Sequence, residues 1–137
     1  GAFLAQKFEE TSFLTTTNQH ETIYVVSPEF NSTNQMIFRD NNMLAIRDKH
    51  VLLLLATTTT GLTVRRSLEC IQYYGGIVEG VSSIFSTVKE VEGYPVVSVF
   101  TGEDLPGYAA YPQKDCPFCK KGHRLEAMVN GYGYSKL

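Results

Sequence analysis

The sequence predicts an α/β fold with a mainly parallel sheet flanked by helices. Three observations lead to this prediction: the apolar run Val51–Ala56, the amphipathic helical pattern that follows it, and two further strand-like runs at Ile77–Phe85 and Pro95–Thr101. Two strands joined through a helix form a crossover unit, in which the strands lie parallel in one sheet. The order of the elements therefore places the chain in the α/β class.

The chain before residue 51 contributes a helix, a strand and a polar excursion. Residues 1–10 carry apolar positions at a spacing that predicts a short amphipathic helix, and the Thr- and Asn-rich residues 11–19 predict a loop. The β-branched run Thr22–Val26 ends before a proline, which predicts a strand. Residues 28–48 are rich in Asn around a short apolar triplet, and we expect a hairpin there that stays outside the core.

The central strand and helix have the clearest patterns. Val51–Ala56 is apolar at every position, which is typical of a strand buried on both faces of a parallel sheet. Val64, Leu68 and Ile71 then fall on one helical face. Gly75 and Gly76 should end the helix, because glycine readily adopts the left-handed conformation of a C-terminal cap. A charged turn, 89–93, separates the last two strands.

Composition limits the class of protein. The chain has 137 residues, is 43% hydrophobic and carries a net charge of −2, which fits one compact domain without the basic patch of a nucleic-acid binder. Val51–Ala56 is too short an apolar run to cross a membrane. An odd count of three cysteines suits a reducing compartment, so we expect a cytoplasmic protein.

The two ends of the chain differ from its middle. Gly1 is not a methionine and already lies in the first helical pattern, so we expect that an N-terminal part is missing. Residues 102–137 are rich in Tyr, Pro, Gly, Cys and Lys and predict an irregular tail. We treat 1–137 as one domain that includes this tail.

The segment between the apolar strand and the helix is the main candidate site. It comprises Thr57, Thr58, Thr59, Thr60, Gly61, Leu62 and Thr63. Ligands of open α/β sheets bind at the carboxyl ends of strands, and backbone amides at a helix N-terminus suit a phosphate. Threonine hydroxyls add hydrogen-bond donors, although threonines at such positions also serve as local caps. The segment therefore predicts a monophosphate site or a plain helix cap.

The same segment resembles the phosphate loop of the type I phosphoribosyltransferases, and most closely that of the orotate phosphoribosyltransferases. The family pattern is a buried strand, two acidic residues, two variable residues, then Thr-Thr-Gly and a small hydroxyl residue; Thr59, Thr60, Gly61 and Thr63 match its second half. The helix at 1–5, the stretch 73–80 and the Cys-Pro-x-Cys-Lys-x-Gly-like stretch 111–122 are similar to the family as well. The resemblance covers most of the chain.

This resemblance implies a glycosyltransferase of nucleotide synthesis or salvage that binds phosphoribosyl pyrophosphate or a nucleotide. It implies that residues 57–63 hold the 5′-phosphate, that Mg²⁺ binds the pyrophosphate, and that the protein is a homodimer. The chain departs from the family at Leu55 and Ala56, which stand where the acidic pair belongs, and it lacks the Arg-Lys pair after the second strand. The catalytic residues are therefore unknown, and a non-catalytic relative that senses a nucleotide is the alternative.

The tail contains a second constellation, Cys116, Cys119 and His123. The spacing C-x2-C-x3-H is able to supply three zinc ligands, so an interaction module stabilised by zinc is a further alternative. The cysteines also fit a redox pair or a structural turn. Cys70 occupies a helical position between apolar residues and should be buried. Glu103 and Asp104 follow the last strand, where they are either Mg²⁺ ligands or solubilising charges.

Overall fold

The computed structural model describes residues 1–11, 22–32, 35–111, 114–130 and 132–137. The chain forms two compact units, Gly1–Pro106 and Gly107–Leu137. The loop predicted for 11–19 lies almost wholly outside the described residues. None of the helices in the described ranges has both the length and the apolar character that crossing a bilayer requires.

The N-terminal unit contains most of the regular structure. Its elements in chain order are α1 (Ala2–Thr11), β1 (Glu29–Phe30), β2 (Met36–Ile37), a 3-10 helix (Asp40–Ala45), β3 (His50–Thr58), α2 (Leu62–Tyr73), β4 (Ile77–Ser86), β5 (Glu90–Val91) and β6 (Tyr94–Thr101). The C-terminal unit consists of α3 (Pro117–Lys120) and an antiparallel hairpin formed by β7 (Ala127–Asn130) and β8 (Gly133–Lys136).

Four strands form the main sheet in the order β3-β4-β6-β5. β4 pairs in parallel with β3 and with β6, whereas β5 runs antiparallel to β6. The predicted α/β class with a mainly parallel sheet is confirmed in these general terms. The crossover from β3 to β4 is made by α2, as the strand-helix-strand order predicts.

A tight hairpin joins β5 to β6. Val91 pairs with Tyr94, so Glu92 and Gly93 form a two-residue loop, and both have positive φ, at 52° and 81°. Positive φ at both central residues is the signature of a type I′ turn, whose twist matches that of the flanking strands. The predicted charged turn is therefore a hairpin that adds β5 to the edge of the sheet.

Helix α2 covers one face of the sheet, which we call the covered face. The predicted helical face is confirmed, because Val64 and Leu68 are 0% and 2% exposed. They form the core together with Val81 of β4 and Val96 of β6. The helix ends where Gly75 takes a φ of 80°, at the predicted position.

The opposite face, which we call the open face, is exposed. Its apolar side chains are Leu52, Leu54, Ile84, Val97 and Val99, between 39% and 72% exposed. Burial along β3 alternates from one residue to the next, so the expectation that this strand is buried on both faces is wrong. The physical reason is that α2 packs on the other side of the sheet, although leucines line this side as well.

The segment before β3 differs from its prediction in two respects. Thr22–Val26 forms no strand, and Tyr24 and Val25 are 57% and 56% exposed. A β-branched run becomes a strand only when another strand pairs with it, which the pattern alone does not reveal. The hairpin expected within 28–48 is confirmed as β1 and β2. It is not remote from the core, however, because the thiol of Cys70 in α2 donates to the carbonyl oxygen of Met36 at 3.3 Å.

Candidate functional site

The candidate site lies where β3 ends and α2 begins. Gly61 precedes the helix with a φ of 73°, and no side chain caps the helix there. A Cβ atom at this position would lie 2.9 Å from Cγ2 of Val91. Positive φ and this close approach both favour glycine, so the backbone geometry of the turn depends on Gly61.

The first amides of α2 point away from the helix without an internal acceptor. The first helical hydrogen bond runs from the amide of Arg65 to the carbonyl oxygen of Gly61, at 2.9 Å. The amides of Leu62, Thr63 and Val64 therefore precede the first internal bond of the helix. Such amides carry partial positive charge and favour an anion.

A cavity of about 380 Å³ adjoins this helix end. Its volume lies in the range of small-ligand sites. The lining comes from the start of α2 and from the segment that follows β4: Thr60, Gly61, Leu62, Arg65, Val88, Glu90, Val91 and Glu92. The cavity thus lies at the carboxyl ends of two parallel strands, which is where open α/β sheets bind their ligands.

An ion pair spans two sides of this cavity. Nε of Arg65 lies 2.7 Å from a carboxylate oxygen of Glu92, and both side chains are about half exposed. A guanidinium group binds phosphate as readily as carboxylate, so an incoming phosphate would compete with Glu92 for Arg65. The carboxylate of Glu90 adds negative charge beside the same cavity.

Thr87 fixes the strand end beside the cavity. Its amide donates to the carbonyl oxygen of Thr58 at 3.0 Å, and its hydroxyl donates to that of Thr59 at 2.7 Å. The side-chain oxygen of Thr58 is buried without a hydrogen-bond partner in the described structure. Thr58 is therefore held as part of the strand, with its hydroxyl shielded from a ligand in the cavity.

The structure brings only part of the predicted segment to the cavity. Thr60, Gly61 and Leu62 line it, whereas Thr57, Thr58, Thr59 and Thr63 are not among the lining residues. The carbonyl oxygen of Thr63 accepts a hydrogen bond from the hydroxyl of Ser67 at 2.8 Å. Sequence reasoning missed Thr87, Arg65 and the 88–92 stretch, because only the folded sheet brings them to this strand end.

Leu55 and Ala56 occupy the positions of the family's acidic pair. Leu55 is half-buried and packs against the core cluster, and Ala56 is exposed.

Arg39 is a basic residue in the segment after Thr22–Val26, where the family's Arg-Lys pair is missing, and it could replace that pair only if its side chain were free. It instead binds both carboxylate oxygens of Glu29, at 2.6 and 2.7 Å, and this hydrogen bonding holds the pKa of Glu29 below its ordinary value.

The described residues contain no group of three or more His, Cys, Asp or Glu side chains that could hold a metal ion. A carboxylate oxygen of Asp104 accepts hydrogen bonds from the amide and the hydroxyl of Thr101, at 2.7 and 3.0 Å. Asp104 thus closes the turn after β6. The carboxylates of Glu90 and Glu92 line the cavity, and we assign no step to a Mg²⁺ ion.

The C-terminal unit brings Cys116 and Cys119 together but arranges His123 differently. The amide of Cys119 donates to Sγ of Cys116 at 3.4 Å. The amide of His123 donates to the carbonyl oxygen of Phe118 at 3.0 Å, and the two rings meet edge to face with centroids 6.1 Å apart. The zinc set predicted from C-x2-C-x3-H is therefore not assembled in this arrangement.

Comparison with known proteins gives no family assignment, since the sequence matches no family model and no curated protein.

Proposed function

We propose that the chain is a phosphoribosyltransferase-like protein that binds the 5′-phosphate of phosphoribosyl pyrophosphate, or of a nucleotide, at the start of α2. One observation carries this proposal: α2 begins after Gly61 without a side-chain cap, and Gly61 and Leu62 line a ligand-sized cavity beside this helix start. The matching residues Thr59, Thr60, Gly61 and Thr63 agree with the family pattern.

The residues of this chain have distinct parts in the proposed binding step. The amides at the start of α2 donate hydrogen bonds to the phosphate oxygens, and Gly61 keeps the backbone close enough for them to do so. The guanidinium group of Arg65 leaves Glu92 and binds the phosphate instead. In the family reaction Mg²⁺ neutralises the pyrophosphate leaving group. Cytoplasmic nucleotide metabolism and a homodimeric assembly belong to the same proposal.

Leu55 favours a second candidate, a relative that binds the phosphoribosyl group without transferring it. Transfer passes through a cationic sugar, which the family's acidic pair stabilises by charge. Leu55 offers no charge and packs against the apolar core instead. Loss of such an electrostatic contact costs about 3–4 kcal/mol of transition-state stabilisation in other enzymes. Binding and sensing need only the phosphate site.

A matched pair of variants at Leu62 tests the phosphate site. Leu62 is 50% exposed and lines the cavity. In L62E a carboxylate stands at the helix start, where the helix dipole stabilises it and where it repels a phosphate. L62Q has nearly the same shape without the charge. Calorimetric titration of phosphoribosyl pyrophosphate, with and without Mg²⁺, should show saturable binding to the wild type and to L62Q, and loss of binding in L62E.

The outcomes separate the candidates. Equal binding by L62E and L62Q would place the ligand elsewhere, and no binding by the folded wild type would overturn the proposal. If binding is present, incubation with orotate or purine bases distinguishes an enzyme from a sensor. Release of pyrophosphate with formation of a nucleotide identifies a transferase, and tight binding without turnover identifies the non-catalytic relative.

A further inference from the structure

The two cysteines of the C-terminal unit contact one another. Cys116 and Cys119 stand one helical turn apart, and the amide of Cys119 donates to Sγ of Cys116 at 3.4 Å. Both are free thiols, with Cys116 half-buried and Cys119 exposed. Residues three apart in a helical turn lie within the Cα separation of roughly 4.4–6.8 Å that disulfides span, so little backbone movement is needed to join them.

The surroundings make the two sulfurs chemically unequal. Hydrogen bonds from the backbone and the thiol of Cys119 lower the pKa of Cys116, and the nearby charge of Lys120 acts in the same direction. Donation to Cys116 raises the pKa of Cys119. A thiol that is readily ionised attacks first, and a protonated neighbour within reach resolves the product. The amide of Cys119, which donates to the Cys116 sulfur, favours Cys116 as the attacking thiolate and leaves Cys119 as the resolving thiol.

We propose that Cys116 and Cys119 form a redox-active dithiol that exchanges with small-molecule disulfides of the glutathione type. The Cys116 thiolate attacks one sulfur of the external disulfide, whose S–S bond breaks and releases one thiolate. Cys119 then gives up its proton and attacks the Cys116 sulfur, which expels the second thiolate. Two electrons and two protons pass from the dithiol to the external disulfide, and the protein keeps an internal Cys116–Cys119 disulfide.

Cys70 provides an internal contrast. It is 8% exposed, its thiol donates to a backbone carbonyl in β2, and burial raises its pKa. A buried, protonated thiol is a poor nucleophile and is inaccessible to a disulfide in solution. The dithiol proposal therefore assigns the reactivity of this chain to one pair of its three cysteines. It is independent of the phosphate site, because every residue it uses lies in the C-terminal unit.

The proposal is tested on the full chain in glutathione buffers of increasing oxidised fraction, followed by quenching, alkylation and peptide mass analysis. Trypsin cuts after Lys114 and Lys120, so one peptide, 115–120, contains both cysteines, and Cys70 lies in another. We expect the 115–120 peptide to lose two hydrogen masses and resist alkylation while Cys70 stays reduced. In the reduced chain, iodoacetamide should label Cys116 several-fold faster than Cys119.

Two single variants distinguish the roles. Cys119→Ser should accumulate a mixed disulfide between Cys116 and glutathione, because the resolving thiol is gone. Cys116→Ser should remain largely unmodified under the same conditions. The proposal is overturned if the 115–120 peptide stays reduced while glutathione oxidises a reference dithiol, or if both variants form the mixed disulfide equally. Stoichiometric zinc that protects both thiols in the purified wild type would also overturn it, in favour of a metal site.

Discussion

The two faces of the main sheet have similar apolar composition and opposite environments. On the covered face, Val81 and Val96 pack beneath α2 and are 2% and 8% exposed. On the open face, Leu54 of β3, Ile84 of β4 and Val97 of β6 are 39%, 58% and 66% exposed. This difference indicates that the packing of a helix, and not the apolar character of a strand, decides which leucines and valines contribute to stability.

The largest expected effect on stability comes from truncating one leucine on the covered side of the sheet and comparing it with one leucine on the open face. Leu68→Ala should lower the free energy of unfolding by about 2–5 kcal/mol, because its side chain is 2% exposed and its removal leaves a cavity. Leu54→Ala, the matched change on the open face, should cost about 1 kcal/mol or less, since solvent already reaches the side chain. Urea unfolding measures both values. Equal costs would mean that the open face is covered in solution.

Val96 and Val97 are adjacent on β6 and point to opposite faces, which makes a second matched pair. Threonine has nearly the shape of valine but adds a hydroxyl group. Val96→Thr should cost about 1–3 kcal/mol, because the hydroxyl is buried on the covered face without an assured partner. Val97→Thr should change stability by about 0.5 kcal/mol at most. Thermal unfolding of the two variants checks this, and a larger loss at Val97 would contradict the assignment of the faces.

Two glycines extend the comparison to added methyl groups. A Cβ at Gly76 would lie 2.7 Å from Cγ2 of Ile71 and 3.1 Å from Cγ2 of Ile46, so Gly76→Ala should cost about 1–3 kcal/mol through overpacking. A Cβ at Gly80 would meet only Cδ1 of Leu52, at 3.8 Å. Gly80→Ala should therefore stabilise the protein by about 0.4–1 kcal/mol, because alanine reduces the freedom of the unfolded chain. The denaturant midpoints of the two variants show whether each one loses or gains stability. A loss for Gly80→Ala would show that the open face is more crowded than these distances indicate.

The sequence predicted the elements with a strong local pattern. Val64, Leu68 and Ile71 identified the buried side of α2 because a helical period leaves little choice of face. Gly75 identified the helix end because its conformation excludes most other residues. The start of α2 as a candidate site also followed from local order, since a strand that runs through a glycine turn into a helix places free amides at the sheet edge.

The remaining features depend on contacts between distant segments. The leucines of β3 carry no alternation, so the sequence could not show which of its two sides packs beneath α2. Thr22–Val26 has strand propensity, but a strand also needs a partner, which no local pattern supplies. Thr87 and the pair between Arg65 and Glu92 reach the candidate site only because β3, β4 and the β5 hairpin converge at one edge.

The smallest expected effect on stability concerns the turn at the end of β6. Hydrogen bonds from the amide and hydroxyl of Thr101 hold the pKa of Asp104 below its ordinary value of 3.8. A carboxylate with a lowered pKa in the folded state stabilises the protein above its unfolded pKa and loses this contribution as pH falls through the folded value. The wild type should therefore exceed Asp104→Asn in stability above about pH 4, and the difference should shrink at lower pH.

Urea unfolding of both proteins over a pH series measures that difference. Glu103→Gln is the matched control, because it removes one negative charge from the same turn. A gap between wild type and Asp104→Asn that stays constant through the acid range would mean that the hydrogen bonds to Thr101 do not depend on ionisation of the carboxylate. A gap that closes for Asp104→Asn and is absent for Glu103→Gln would assign the effect to the Thr101–Asp104 contact. The turn at the end of β6 would then gain its stability from a local polar contact, in contrast to the covered face, where burial supplies it.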